Sequence, residues 1–135
     1  MGFTLVELMV VIVIIGLLSG VVTVSVRSYL VRSKQNVARL EISKIMQGLE
    51  AFYTTYDRYP TNREGLQILA QPSDEFVDGI LPFLPVDPWG SPYEYVSPGR
   101  NFAYEITCFG ADRREGGAGA DKDIKSSEIH LRNSA

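Results

Sequence analysis

Residues 2–26 read GFTLVELMVVIVIIGLLSGVVTVSV, and the architecture of the whole chain follows from them. No residue from Leu8 to Val26 is charged, and leucine, valine, isoleucine and methionine predominate. Because an α-helix rises 1.5 Å per residue, this segment would form a helix roughly 28 Å long, close to the thickness of the hydrocarbon core of a bilayer. The sequence therefore predicts one membrane-spanning helix over residues 3–26.

A conventional secretory signal fits this segment poorly. Only Met1 and Gly2 precede Phe3, and the apolar run continues into Arg27 without the small-residue cleavage site that such signals carry. The basic residues follow the span, and the positive-inside rule alone would place them in the cytoplasm. A basic leader upstream of Gly2 in the precursor would remove that conflict.

Glu7 is the one charged residue within the apolar segment. Burying an unpaired carboxylate in lipid is costly, so this side chain needs water, a proton or a positive partner. Two interpretations follow. Glu7 either lies at the level of the lipid headgroups, where water solvates it, or meets a positive charge such as the ammonium group that a cut before Phe3 would create.

The sequence GFTLVELMVVI of residues 2–12 resembles the type III signal of type IV pilins and type II pseudopilins. In those families a prepilin peptidase cuts after the glycine and methylates the new amino terminus. The resemblance implies that residues 1–2 are a residual leader, that Gly2 is the cleavage site, and that Phe3 becomes the N-methylated first residue. It also implies that Glu7 engages the amino terminus of a neighbouring subunit in a filament.

A second helical pattern follows Arg27. Its apolar residues recur at a spacing of three to five, which is typical of a helix with one buried face. These residues are Val37, Leu40, Ile45, Met46, Leu49, Phe52, Tyr53 and Tyr56. We predict an amphipathic helix over residues 27–57, continuous with the span and ended by Tyr59-Pro60, because proline disfavours helical geometry in the preceding residue.

Thr61 and Glu64 have the spacing of a capping box and predict a short helix through Gln67, Ile68 and Leu69. Prolines then interrupt residues 80–92, where we expect Trp89 to anchor the loop against the core.

Residues 93–96 and 102–107 predict a β-hairpin around the turn Ser97-Pro98-Gly99. Ile129 to Leu131 would add a third strand, in which alternation turns His130 towards the surface. One long helix on a small antiparallel sheet gives an α+β fold.

Three further segments resemble the major pseudopilins of the type II secretion system, within the type IV filament superfamily. They read YPT at residues 59–61, DPWGSPYEY at 87–95 and GAD at 110–112. The resemblance implies a type IV pilin-like fold with a calcium-binding loop. In that arrangement residues 3–26 form the transmembrane and filament-core helix, and residues 27–135 form a periplasmic head.

The candidate loop carries acidic residues among glycines between residues 110 and 123. On composition alone it is either a solvated turn or a site for a hard cation, because calcium takes carboxylate and carbonyl oxygens. The resemblance implies that calcium is the cofactor. It assigns Asp112 and Asp123 as side-chain ligands, with Asp121 as a competing or additional ligand and the carbonyl of Phe109 as a main-chain ligand.

Composition argues against two other functional classes. A net charge of −3 provides no basic surface for nucleic acid. The sequence contains no nucleotide loop, nucleophile elbow or zinc spacing, and its lone Cys108 has no evident base, so we predict that the chain is not an enzyme.

The resemblance implies a structural subunit that polymerises from the inner membrane into a periplasmic pseudopilus and promotes export of folded proteins across the outer membrane. Its partners would be other copies of itself, minor pseudopilins, the prepilin peptidase, membrane lipid before assembly, and the inner-membrane assembly platform with its ATPase. One alternative is a type IV pilin of a surface filament for adhesion, motility or DNA uptake. Another is a membrane-anchored binding module that never polymerises.

Overall fold

The computed structural model describes residues 2–134 as two compact units that divide between Ser33 and Lys34. A single helix, α1, runs from Leu5 to Tyr56 and contributes to both units. It continues without interruption through Gly16 and Gly20, the two weak points that the sequence offers within the apolar segment. The prediction of a helix that continues beyond the apolar segment is confirmed.

The first unit contains the apolar part of α1. A capping box begins the helix: the backbone N–H of Glu7 donates to Thr4 Oγ1 at 3.2 Å, and the N–H of Thr4 donates to Glu7 Oε2 at 3.1 Å. Further along, the hydroxyls of Ser19 and Thr23 donate to the carbonyls of Ile15 and Ser19 at 2.7 and 2.8 Å. These bonds satisfy the two hydroxyls within the helix itself.

The second unit contains a three-stranded antiparallel sheet packed against the second half of α1. Strands β1 (Glu94–Val96) and β2 (Glu105–Cys108) form the predicted hairpin, with Tyr95 opposite Ile106. Strand β3 (Ile124–Lys125) pairs with β2 on its other side. The predicted α+β architecture, with a long helix packed on a small sheet, is confirmed.

The prediction of a third strand at Ile129 to Leu131 is wrong. These residues lie in a second helix, α2 (Ser126–Ser134), which follows β3 directly. Ile129 is buried and Leu131 is exposed, so the two apolar side chains do not share a face as they would in a strand. An alternation that extends over only three residues cannot distinguish a strand from a short helix.

His130 is half-buried, and the prediction that it lies on the surface is therefore also wrong. Its imidazole stacks on the ring of Phe102 with 4.6 Å between centroids and an angle of 18° between planes. Its Nε2 atom is buried without a hydrogen-bond partner among the described residues.

The buried face of α1 differs in part from the predicted one. Ala38, Ile42, Ile45, Leu49 and Phe52 lie in the core, a spacing of four, three, four and three residues. The apolar side chains at positions 37, 40, 53 and 56, predicted to be buried, are exposed instead. The face is therefore narrower than predicted and is shifted at its first turns, where Ala38 and Ile42 are buried and Val37 and Leu40 are not.

The end of α1 is fixed by several polar contacts. Asp57 adopts a left-handed conformation with φ of 56°. The predicted capping box is present: Thr61 N–H donates to Glu64 Oε1 at 3.0 Å, and Glu64 N–H donates to Thr61 Oγ1 at 3.2 Å. The helix that follows is a 3-10 helix, Leu66–Ala70, and Trp89 packs against the core as predicted.

Candidate functional site

The first candidate site is the apolar part of α1. Every large apolar side chain from Phe3 to Val26 is at least 49% exposed. The most apolar 18-residue window of α1 has a mean hydropathy of 2.8, and none of it is buried. By length and composition this is the one helix among the described residues that could cross a membrane. An exposed apolar surface of this extent marks a segment that contacts lipid or another protein.

The predicted processing and assembly residues lie at the start of this helix. Gly2 and Phe3 precede α1 and are exposed, so the bond between them is accessible. The carboxylate of Glu7 is held by the N–H of Thr4, at the positive end of the helix dipole. Within the single chain, Glu7 thus has a local partner.

The second candidate site is the glycine-rich loop between β2 and β3. Gly110, with φ of 77°, lies so close to Ala120 that a β-carbon on Gly110 would meet the Ala120 carbonyl oxygen at 2.8 Å. The Ala111 N–H donates to the same carbonyl at 3.0 Å. These contacts bring the two ends of the loop together, and only glycine fits at position 110 without displacing backbone.

The loop carboxylates have different surroundings. Asp123 Oδ2 accepts a hydrogen bond from Gly116 N–H at 2.8 Å, whereas its Oδ1 is buried without a hydrogen-bond partner among residues 2–134. Asp112 is exposed, and its carboxylate accepts from Arg114 N–H at 3.1 Å. Asp121 is half-buried in a 3-10 turn, Gly119–Asp121. Among the three aspartates, only Asp123 has a buried carboxylate oxygen without a partner in the described structure, and a hydrogen-bond donor or a cation would satisfy it.

A cavity of about 130 Å³ lies beside Asp123. Phe109, Glu115 and Asp123 line it, and so does the basic residue Lys125. Asp112 and Asp121 are not part of that lining. Nowhere in the described part of the chain do three His, Cys, Asp or Glu side chains gather closely enough to hold a metal ion.

The sequence does not single out Glu115 as a ligand, because its place in the lining of the same cavity as Asp123 depends on how the chain reverses at Gly116 and Gly117, both of which have positive φ. The spacing of the acidic residues alone does not show that reversal. Arg113, which also has positive φ, instead donates from its guanidinium to the Trp89 carbonyl at 3.3 Å and so ties the loop to the proline-rich connection.

A buried polar cluster behind the loop was not recognised from the sequence. Asp87 is 4% exposed, and its Oδ1 accepts from the N–H groups of Trp89 and Ser91 at 3.0 and 2.7 Å. Its Oδ2 accepts from the Cys108 thiol, with 3.5 Å between the heavy atoms. Burial, reinforced by the nearby Asp87 carboxylate, raises the pKa of Cys108 to about 12. The thiol therefore stays protonated at neutral pH and is unsuited to act as a nucleophile.

Comparison with known proteins identifies relatives over most of the chain. Residues 25–127 match the profile of the family described as type II secretion system (T2SS), protein G, and residues 2–23 match the prokaryotic N-terminal methylation motif. The chain is 40% identical to the type II secretion system core protein G of Pseudomonas aeruginosa over 130 residues, which cover 91% of this chain and 92% of that protein. It is 35% identical to the core protein G of Vibrio cholerae, covering 95% and 92% of the two chains.

The fold also matches a solved structure. The crystal structure of the major pseudopilin from the type 2 secretion system of enterohaemorrhagic Escherichia coli aligns with a TM-score of 0.60 and 24% sequence identity, covering 70% of this chain and 87% of that one. The family profile covers residues 25–127, which include most of the predicted head as well as the end of the apolar segment. On these grounds the chain belongs to the family of type II secretion system protein G.

Proposed function

We propose that this chain is the structural subunit of a type II secretion pseudopilus, which polymerises from the inner membrane into a periplasmic filament and promotes export of folded proteins across the outer membrane. Its family consists of filament subunits and not of enzymes, in agreement with the prediction that the chain has no catalytic activity. The proposal is supported above all by the wholly exposed apolar part of α1.

That helix needs two non-aqueous environments in turn. In the membrane, lipid covers its apolar side chains and the helix satisfies its own backbone hydrogen bonds. In the filament, the same side chains pack against those of neighbouring copies, which replace the lipid contacts. A single apolar helix at the amino terminus suits a single-pass anchor, and we assign the anchor to the inner membrane and the head to the periplasm.

Processing would prepare the amino terminus for assembly. A prepilin peptidase cuts after Gly2 and methylates Phe3, and the new ammonium group offers a positive partner to the Glu7 carboxylate of an adjacent subunit. That contact competes with the local bond from Thr4 N–H to Glu7. The ionic partner is favoured in a medium of low dielectric, where an attraction between opposite charges is stronger than in water.

The proposed cofactor is calcium in the glycine-rich loop. The buried, unpartnered Oδ1 of Asp123 suits a cation, and Phe109, whose carbonyl is the proposed main-chain ligand, lines the same cavity. Asp112 and Asp121 remain proposed ligands that would have to turn towards Asp123, and Glu115 is available in the cavity lining. Calcium accepts such a mixture of carboxylate and carbonyl oxygens, and it would stabilise the loop by binding only to the folded head.

The further partners are the minor pseudopilins, the prepilin peptidase, and the inner-membrane assembly platform with its ATPase, which would extract the subunit from the bilayer. No role for nucleic acid is proposed. Membership of the family supports contact with other components of the secretion system. The individual components named here are our proposal.

The proposed function can be tested with Glu7→Ala in the full chain. We expect filaments to disappear from electron micrographs while the protein still floats with membranes, because the apolar helix is intact. Glu128→Gln, a neutralised acid in α2, is the matched control and should assemble normally. If Glu7→Ala leaves both filament yield and export unchanged, the proposed function is wrong.

A further inference from the structure

A groove of about 420 Å³ lies between the second half of α1 and α2. Arg39, Leu40 and Arg132 line it, and its lining contains no carboxylate. Leu40 is 58% exposed although it is an apolar residue on a helix that packs against a core. Neither arginine forms an ion pair with another described side chain. The groove is therefore concave, positively charged and partly apolar.

A negatively charged turn lies on the connection between α1 and the sheet. We call its residues, 73–79, the acidic turn. Three bonds hold it: Ser73 N–H donates to the Phe76 carbonyl at 2.8 Å, Phe76 N–H to Ser73 Oγ at 3.1 Å, and Gly79 N–H to the Phe76 carbonyl at 3.0 Å. Phe76 is half-buried, whereas Val77 at its tip is 78% exposed. The exposed carboxylates beside Val77 are those of Asp74, Glu75 and Asp78.

The acidic turn cannot reach the groove of its own chain. The Tyr56 hydroxyl donates to Ser73 Oγ at 3.4 Å and places the turn beside the carboxyl end of α1. Leu40 lies 16 residues before Tyr56 in the same helix, a separation of about 24 Å along the axis. Any acidic segment that fills the groove must therefore come from another molecule.

We propose that the acidic turn of one copy of this chain docks in the groove of a second copy, with Val77 against Leu40 and the carboxylates facing Arg39 and Arg132. The two surfaces are complementary in charge and each offers an exposed apolar side chain, so the contact combines electrostatic selection with apolar burial. It would offset the two heads by about 24 Å along α1.

The contact uses a different surface on each copy, so each subunit keeps one surface available for the next. Such a heterologous contact extends into an open chain of subunits when it does not close into a ring. Copies anchored in one membrane have their heads on the same side, which disfavours a closed antiparallel pair. The inference rests on the proposed filament and names a contact between its heads.

Disulfide cross-linking of the full-length protein in cells tests the contact. We expect the double variant Leu40→Cys with Val77→Cys to give a ladder of covalent oligomers on mild oxidation, because each link leaves one cysteine on either side for the next copy. Each single variant should stay monomeric. The matched control combines Leu40→Cys with Val96→Cys, an exposed valine of β1, and should give no ladder.

Charge reversal provides a second measurement. Asp74→Lys with Glu75→Lys should lower the yield of the ladder by about fivefold, the scale expected for a few solvent-screened ion pairs. Adding Arg39→Glu and Arg132→Glu should restore the yield.

The outcomes separate this contact from the proposed function. If the double variant forms filaments but no ladder, the proposed contact is wrong and the proposed function is unaffected. A product that stops at the covalent dimer would also contradict the contact. A ladder in cells that form no filament would support the contact and contradict the function. The absence of both would contradict both.

Discussion

Asp123 accepts a hydrogen bond from the N–H of Gly116 at 2.8 Å through one carboxylate oxygen, while its other oxygen is buried without a partner in the described structure. The bond holds the carboxylate in place. An acceptor buried in this way costs free energy unless a donor or a cation satisfies it.

If calcium occupies the loop as proposed, its removal should destabilise the head. We expect the thermal midpoint of the detergent-solubilised chain to fall when a chelator is added, and the difference to vanish in Asp123→Asn. A ligand at a hundredfold excess over its dissociation constant stabilises the folded state by about 2.7 kcal/mol. Glu128→Gln, which lies outside the loop, should retain the response. A wild-type midpoint that does not change with the chelator would contradict the calcium site.

The face of α1 that packs on the sheet can be tested by a pair of leucines. Leu49→Ala should lower the free energy of unfolding by about 2–5 kcal/mol, because Leu49 is fully buried and its truncation leaves a cavity. Leu40→Ala should lower the free energy of unfolding by less than about 0.5 kcal/mol, since Leu40 is exposed. Denaturant titration of both variants measures the difference, and equal losses would mean that the helix face is assigned wrongly.

The contact between Arg58 and Glu64 should make stability depend on pH in the acid range. Two guanidinium hydrogen bonds, at 2.8 and 3.2 Å, together with the capping contact to Thr61, lower the pKa of Glu64 to about 2. A carboxyl whose pKa is lower in the folded state stabilises the fold above its unfolded value and loses that effect as the pH falls. The contribution should be complete above about pH 4.5 and decline towards pH 2.

Glu64→Gln tests this dependence. The wild type should exceed the variant in stability by about 1 kcal/mol or less at pH 6, because the ion pair is partly exposed to solvent. This difference in the free energy of unfolding should become smaller between pH 4.5 and 2, as measured by unfolding titrations of both proteins. A gap that stays constant or widens towards acid would show that the ion pair is not its source.

Cys108 should resist alkylation in the folded protein. Burial raises the pKa of its thiol to about 12, so at pH 8 roughly one molecule in ten thousand carries the reactive thiolate. We expect iodoacetamide to label Cys108 only after a denaturant is added, as measured by the mass of the intact chain. Labelling within minutes without denaturant would contradict the buried position. The cross-linking of Leu40→Cys with Val77→Cys would then have to be carried out in a Cys108→Ser variant.

The sequence predicts those elements whose signals are local. The apolar run of residues 3–26, the capping box of Thr61 and Glu64, and the hairpin around Ser97 each depend on neighbouring residues. Local chemistry is enough to define elements of this kind.

Features that depend on long-range packing were not predictable in the same way. Both Ala38 with Ile42 and Val37 with Leu40 satisfy a helical spacing. The sequence alone therefore does not show which of the two pairs is buried in the core. The position of α2 depends on Ser126, whose Oγ accepts from the N–H of Ile106 at 2.9 Å across the sheet. The shared cavity of Glu115 and Asp123 and the burial of Asp87 against Cys108 likewise depend on residues that are far apart in the sequence or on a loop reversal.

The exposed apolar part of α1 limits where a subunit can go after a filament comes apart. Under the proposed function, release into the aqueous periplasm would hydrate every large apolar side chain from Phe3 to Val26, at roughly 1.5–3 kcal/mol for each. A depolymerising subunit would therefore return to the bilayer, which then acts as a reservoir from which the same molecules are drawn again. Growth of a filament would then draw on one pool of membrane-anchored protein, and the size of that pool would limit the length that the filament can attain.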